Sequence, residues 1–226
     1  MRTQQFLLSA LCLFGIYHFT ACRETEKAIP AKLVTAAVAA PEPIAAATGY
    51  ELQPKESFIY WKGNTVTGGG HAGTLRPVSG NLAADAGGKW VGGYFVIDMN
   101  TILSTDPDNR GAEDGLVKHL KDPDFFDVPR FPKAYFTMLK ATPGANDSSF
   151  TITGQLNLKN IVREITFPAT LQATGELIRA RASMIIDRTK WGVNYKSGNI
   201  FLNLKDDAIS DLVPIRLDLV FKKTKG

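Results

Sequence analysis

Apolar and polar residues alternate one for one along much of the second half of the chain. Phe150, Ile152, Gly154, Leu156 and Leu158 fall on one side of a run whose other side is Thr151, Thr153, Gln155 and Asn157. Arg163, Ile165, Phe167, Ala169 and Leu171 make a second register. Ile178, Ala180, Ala182, Met184 and Ile186 make a third, opposed by Leu177, Arg179, Arg181 and Ser183. Val213, Ile215, Leu217, Leu219 and Phe221 make a fourth, opposed by Arg216, Asp218 and Lys222. A period of two marks strands with one apolar face. Nearer the start, residues 57–62 (SFIYWK) are rich in aromatic and β-branched types and predict a strand. Residues 71–84 predict another, closing in a turn near Asp85-Ala86-Gly87-Gly88. Residues 89–99 predict a third, with Val91, Gly93, Phe95, Ile97 and Met99 on one face.

One stretch breaks this rhythm. Leu116, Val117 and Leu120 recur at helical spacing and predict a short amphipathic helix ending near Lys121. Asp122-Pro123 stops it, because a residue before proline is pushed out of the helical region. Phe125, Phe126, Val128 and Phe131 then lie among Pro123, Pro129 and Pro132. So many large apolar groups would make a poor solvated loop; the stretch predicts a lid or plug with its phenyl rings turned inward. From Ala134 the strand pattern resumes through Tyr135, Phe136, Thr137, Met138 and Leu139. About eight strands with mostly short connections favour antiparallel neighbours. Such a set must stack as a sandwich or close on itself, and closure removes the unpaired edges.

The first residues follow different rules. Arg2 precedes an apolar run, FLLSALCLF, too short to span a bilayer. His18-Phe19-Thr20-Ala21-Cys22 follows, and small residues directly before a cysteine at this place resemble the bacterial lipobox. That resemblance implies a signal peptide over 1–21 and acylation of Cys22. Residues 22–48, rich in Ala, Pro and Glu, read as a linker, with 49–226 as the folded domain. The expected location is the bacterial cell envelope, on a periplasmic or surface face, with the membrane as a partner through the anchor.

Composition narrows the chemistry. With 226 residues, 44% of them apolar, the chain suits a globular domain. A net charge of +4 with dispersed Lys and Arg gives no nucleic-acid footprint. Both cysteines, Cys12 and Cys22, lie before the folded domain, so no disulfide framework exists within it. No Cys/His cluster has metal spacing. The stretch Asp106-Pro-Asp108-Asn-Arg110-Gly111 fails as a calcium loop, because Arg110 stands where an oxygen ligand is needed; a solvated acidic loop is the reading kept. No Ser/His/Asp order with an elbow glycine motif occurs, and no enzyme is expected. An enzyme acting on a lipophilic substrate would need an acid or base inside the fold, with Asp98 and Asp187 the first suspects.

Several segments, in order, resemble the YceI-like family of bacterial polyisoprenoid-binding proteins. They are Gly70-His71-Ala72-Gly73, Phe95-Val96-Ile97-Asp98-Met99, Leu120 through Pro132, Gly154 through Arg163, and Asp187-Arg188-Thr189-Lys190-Trp191-Gly192. The resemblance implies an all-β, lipocalin-like antiparallel barrel of about eight strands with one short helix in a long connection. It also implies a lumen taking a long isoprenoid, such as a polyprenyl phosphate or quinone, as the one small-molecule partner. Phe125, Phe126, Phe131 and Phe136 are candidate lumen residues, with Phe95 and Leu156 on the alternating apolar faces. Arg188 and Trp191 are candidates at a mouth, where a cation meets a head group and an indole meets the first chain units. The same hexapeptide also reads as a structural Asp187–Arg188 turn with Trp191 capping the barrel end. A scaffold module with a filled interior is the alternative to lipid binding, and oligomeric state is left open.

Overall fold

A computed structural model describes residues 29–30, 32–34, 48–107, 115–201 and 203–224. The segment expected to be a signal peptide, Cys22, much of the stretch read as linker and the expected acidic loop from 108 onward lie outside the described residues. Eleven strands and one α-helix are described: β1 (Ile29–Pro30), β2 (Lys32–Val34), β3 (Thr48–Leu52), β4 (Phe58–Asn64), β5 (Gly70–Ala84), β6 (Trp90–Ser104), α1 (Gly115–Lys121), β7 (Lys133–Pro143), β8 (Ser149–Leu158), β9 (Ile161–Thr174), β10 (Leu177–Asp187) and β11 (Leu212–Lys223).

They close into an eight-position antiparallel barrel. The hydrogen-bonded order β5-β6-β7-β8-β9-β10-β11 returns to β5 through β3 and β4, which lie end to end between β11 and β5. A 3-10 turn at Pro54–Glu56 separates these two halves of one wall position. Closure follows from the alternation: each strand has one apolar face, and a closed sheet turns all of those faces inward with no free edge. Ile152, Phe167, Ile178, Met184, Leu219 and Phe221 are all buried, while Arg179, Arg181 and Lys222 face solvent.

The predicted strands are present, with three differences. First, β6 does not stop at Met99 but runs to Ser104. It continues through a bulge, where the register shifts from Arg76↔Asp98 to Thr74↔Leu103. The Asn100 N–H donates to Asp98 Oδ1 at 2.9 Å, and the Arg76 N–H donates to the Thr101 hydroxyl at 2.8 Å. Side-chain acceptors thus satisfy a backbone that the hydrophobic pattern alone marks as ended. Second, β3 has no counterpart in the sequence reading, since Thr48–Leu52 holds only two apolar residues of strand type. Third, two short strands arise within the stretch read as linker. β9 and β10 pair only from Leu177↔Thr174 to Ala182↔Ala169. The ladder ends next to Pro168, which has no N–H to donate. Beyond that point the two strands part. β1 pairs in parallel with Met184 and Ile185 of β10, and β2 pairs antiparallel with Glu164 to Thr166 of β9. The opened seam supplies the unpaired groups that these residues satisfy.

The two ends of the barrel differ. Among the described residues, one carries only tight hairpin turns, around residues 85–88, 144–148 and 175–176. The other is roofed by α1, the Phe-Pro stretch after it, the 3-10 turn Arg188–Trp191, and the segment 193–211.

Candidate functional site

The predicted plug exists and its construction is local. The α1 helix buries Val117 and Leu120. After it, the Phe125 and Asp127 N–H groups both donate to the Asp122 carbonyl, and the Phe126 N–H donates to the Leu120 carbonyl. Asp127, at φ 48°, takes the left-handed backbone that lets the chain double back, and its carboxylate accepts from Arg130 at 3.0 Å. From across the barrel, Lys159 in the β8–β9 turn donates its ammonium to the Phe125 carbonyl at 2.7 Å. Burial pulls the pKa of that ammonium down, against the opposing field of Asp127. The phenyl ring of Phe125 is thereby held inward, where it packs on His119 and Tyr195 with ring centroids 5.0 Å away in each case.

Beneath this roof lies a cavity of about 160 Å³. Phe125 and Phe126 form its ceiling. Its walls include Leu75, Ile97, Met99, Leu156, Ile165 and Met184, and its floor is Phe95, Phe136 and Phe167. A second hollow of about 50 Å³ lies on the far side of that floor, toward the hairpin end, among Leu82, Met138, Leu171, Leu219 and others. Phe95, Phe136, Phe167 and Leu217 border both. The three rings form a partition across the lumen: Phe95 and Phe136 stack at 5.2 Å, and Phe136 and Phe167 meet at 5.7 Å. Gly154 makes the arrangement possible, because a side chain there would run into the Phe136 ring and the Thr137 carbonyl. A hollow of roughly 150 Å³ takes one benzene ring, so each chamber alone holds a short piece of hydrocarbon, and a longer chain requires the partition to swing aside.

Five of the eight predicted ligand residues line the main cavity through apolar side chains: Phe95, Phe125, Phe126, Phe136 and Leu156. Arg188 borders it as well, but its guanidinium is already engaged. It donates from Nε to the Ser210 carbonyl at 3.0 Å, from Nη1 to the Val193 carbonyl at 2.7 Å and from Nη2 to the Ile209 carbonyl at 3.0 Å. Asp211 sits 3.2 Å away, with both side chains at most 8% exposed. Burial lowers the Arg188 pKa, with the Asp211 charge opposing. Trp191 is fully buried outside the cavity lining, and its indole N–H donates to the Leu156 carbonyl at 3.0 Å. Asp187 caps the turn by accepting from the Thr189 N–H at 3.0 Å. The hexapeptide is therefore the turn and end cap of the bland reading. Phe131 lies outside the lining too, under the Arg130 guanidinium.

Sequence reasoning missed Trp61, Phe167 and Met184 as site residues. The period-2 register put Phe167 and Met184 on apolar faces, but only the closed barrel shows which positions meet at mid-lumen. Asp98 and Asp187, the suspects for an acid or base, hold backbone bends instead. His71 is tied to Asp106, Nδ1 to Oδ2, at 2.7 Å. Among the described residues no three His, Cys, Asp or Glu converge as a metal site.

Three comparisons bear on this architecture. The sequence model of the YceI-like domain matches residues 50–221. A UPF0312 protein of Pseudomonas putida strain KT2440 is 27% identical over 146 residues, covering 64% of this chain and 71% of the relative. Among solved structures, Burkholderia cenocepacia BcnA superposes with a TM-score of 0.60 at 19% identity, over 75% of this chain and 98% of that one. A polyisoprenoid binding domain from Saccharophagus degradans, implicated in plant cell wall breakdown, gives 0.57 at 16% identity, over 78% and 99%. At these identities the likeness to the solved structures speaks for the fold.

Proposed function

This chain belongs to the YceI-like family, and from that premise we propose that it binds the hydrocarbon chain of an isoprenoid lipid inside its barrel, as a lipoprotein of the bacterial envelope. The carrying observation is the main cavity: a hollow with almost wholly apolar walls, roofed by Phe125 and Phe126 and floored by three phenyl rings. Such a space offers a branched hydrocarbon a dry surround, worth up to about 0.8 kcal/mol for each CH₂ taken from water. Ordering the chain and competition from the bilayer offset most of that, which suits storage, transport or protection with exchange rather than permanent retention. The name of the Saccharophagus degradans relative agrees with this ligand class.

The roofed end also supports traffic with a membrane. Val66, in the β4–β5 turn that pairs with the 208–209 stretch, and Ile200, Phe201 and Leu212, near the cavity residues Ile209, Ser210 and Val213, are 46–58% exposed. The β9–β10 seam opens at this same end, so the lipid anchor and the lumen entrance would face one surface.

Two measurements test the reading. Native mass spectrometry of protein purified from its own envelope, followed by solvent extraction, should find a lipid whose mass fits an isoprenoid. Protein that arrives empty and then excludes fluorescent isoprenoid probes would instead show a filled scaffold. For the anchor, Cys22→Ser should leave the chain unprocessed or shift it out of the membrane fraction, since stable anchoring needs the two or more acyl chains that Cys22 would carry. Unchanged membrane fractionation of that variant would remove the lipoprotein part of the proposal.

A further inference from the structure

The outer wall formed by β10, β11, β4 and β5 gathers cations. Arg179, Arg181, Arg216, Lys62 and Arg76 all point away from the lumen, and one carboxylate, Asp218, stands among them. Arg179 takes that carboxylate with two hydrogen bonds of 2.7 Å. Arg181 is left 3.6 Å from it. The Arg179 hydrogen bonds hold the Asp218 carboxyl below its usual range, with burial opposing and the Arg181 and Arg216 charges adding. Arg181 lies opposite Asp218, and Arg216 opposite Ser183, so the two arginines are diagonal neighbours about 7–8 Å apart. Among the described residues, neither Arg216 nor Lys62 has a hydrogen bond or an ion pair. Like charges side by side weaken a sheet. The fold therefore gives no reason for this wall, whereas an anionic partner does.

Three observations say which partner. The Arg216 guanidinium lies 4.0 Å over the Tyr60 ring and that of Arg76 lies 3.8 Å over Phe58. The rings are thus covered, and the wall offers charge rather than a stacking surface. Toward the roofed end the character reverses. Leu212 precedes Arg216 by four residues on β11, about 13 Å along the strand, and Val66, Ile200 and Phe201 are exposed at the same end. Of the acids near these tips, Asp187 has Lys190 at 3.7 Å, Asp207 has Lys196 at 3.8 Å, and Asp206 has no cation within 4 Å. Apolar tips beside a cationic collar suit a bilayer surface, where the tips sink about 5–10 Å and the cations meet phosphates. Finally, β1 pairs with Met184 and Ile185 of β10, at the edge of this wall. Cys22 stands seven residues before Ile29, a reach of at most about 25 Å. An anchor there keeps this wall close to the bilayer.

On the basis of the anchored reading above, we propose that this wall and the tips beside it are the face on which the protein docks to an anionic phospholipid bilayer. Val66, Ile200, Phe201 and Leu212 enter the headgroup region, and Lys62, Arg216 and Arg181 meet lipid phosphates behind them. The barrel then rests with its roofed end and its β10–β11 side toward the membrane.

The test uses the full chain carrying Cys22→Ser, so that no acyl chain masks the contact. The vesicles are isoprenoid-free: phosphatidylcholine alone, or mixed two to one with phosphatidylglycerol. Sedimentation should find at least about tenfold tighter binding to the anionic vesicles, lost in about 0.5 M salt, which screens charges beyond a few ångströms. Adding Arg181→Gln with Arg216→Gln should cut that binding at least about tenfold, since each cation near the surface is worth roughly fivefold. Lys62→Gln, which has no partner to lose, should cut it about fivefold by itself. Lys133→Gln with Lys140→Gln removes the same charge from exposed positions of β7, across the barrel, and should cost less than about twofold. Equal binding to the two vesicles, or equal losses in the two charge-matched pairs, would overturn the docking face. Tight binding of soluble polyglutamate with the anionic vesicles ignored would give the wall to an acidic polypeptide and overturn it too. The lumen is judged separately, because these vesicles hold nothing for it. Protein that excludes isoprenoid probes yet keeps its preference for phosphatidylglycerol would lose the lumen reading and retain this one.

Discussion

Replacing Arg188 by leucine should destabilise the barrel by roughly 3–5 kcal/mol, the cost seen when one partner of a buried ion pair is removed. The guanidinium is 5% exposed and joins parts of the chain that share no strand. It ties the turn after β10 to the carbonyls of Val193, Ile209 and Ser210, and it faces Asp211. Asp211 also gathers the Ser197 hydroxyl at 2.9 Å and the Asn199 amide at 2.7 Å. Leucine would leave three carbonyls and one carboxylate oxygen facing an apolar wall. Urea unfolding reads the effect as a lower midpoint with an unchanged slope. Arg188→Lys should recover only part of it, because a single ammonium cannot reproduce the planar fork that meets carbonyls in three directions. Hydrogen exchange should rise first in 193–211, the segment the fork holds. A midpoint within experimental error of the parent would show that the roof is held by its other contacts, and Arg188 would again be available to a ligand.

The second large effect belongs to Phe136. It borders both chambers and touches the other two rings of the partition. Phe136→Ala should join the hollows into one and lower stability by about 3–5 kcal/mol, as deletions of buried phenyl groups do. The informative readout is selectivity. In the parent, the main chamber holds only about one ring's worth of hydrocarbon, so a probe with two isoprene units already presses on the partition and a third unit must displace it. In the variant that unit gains a place, so the affinity ratio of the farnesyl to the geranyl probe should rise by about tenfold, well under the full transfer value of five more carbons. Phe136→Leu is the milder companion should the alanine form fold poorly, with a smaller shift in the same direction. A fall in melting temperature with an unchanged ratio would make the rings ordinary core.

How the plug came to be legible is a matter of local physics. The helix over 115–121 is set by Leu116, Val117 and Leu120 and stopped by Asp122-Pro123, all within seven or eight residues. The phenyl groups of Phe125 and Phe126 turn inward because no solvated loop could carry them cheaply. Strand positions are local too, since the alternation of side chains across a pleat needs no knowledge of the partner strand. Arg188 and Trp191 show the opposite case. Their hexapeptide announced cations and an indole at a strand end, but whether they served a ligand or a fold depended on carbonyls 5 to 35 residues away.

By itself, then, the sequence determined the strand faces, the single helix, the aromatic plug and the ordered segments that mark the family. Each rests on the stereochemistry of neighbouring residues, which a linear pattern records. Only the tertiary structure decided that Phe95, Phe136 and Phe167 meet as a partition, that β9 and β10 part beyond Pro168, that Arg188 is spent on the roof, and that Arg76, Arg181 and Arg216 share one outer wall. Those outcomes depend on which strands become neighbours and at what register when the sheet closes. Closure brings together residues separated by dozens of positions, and no local period encodes it.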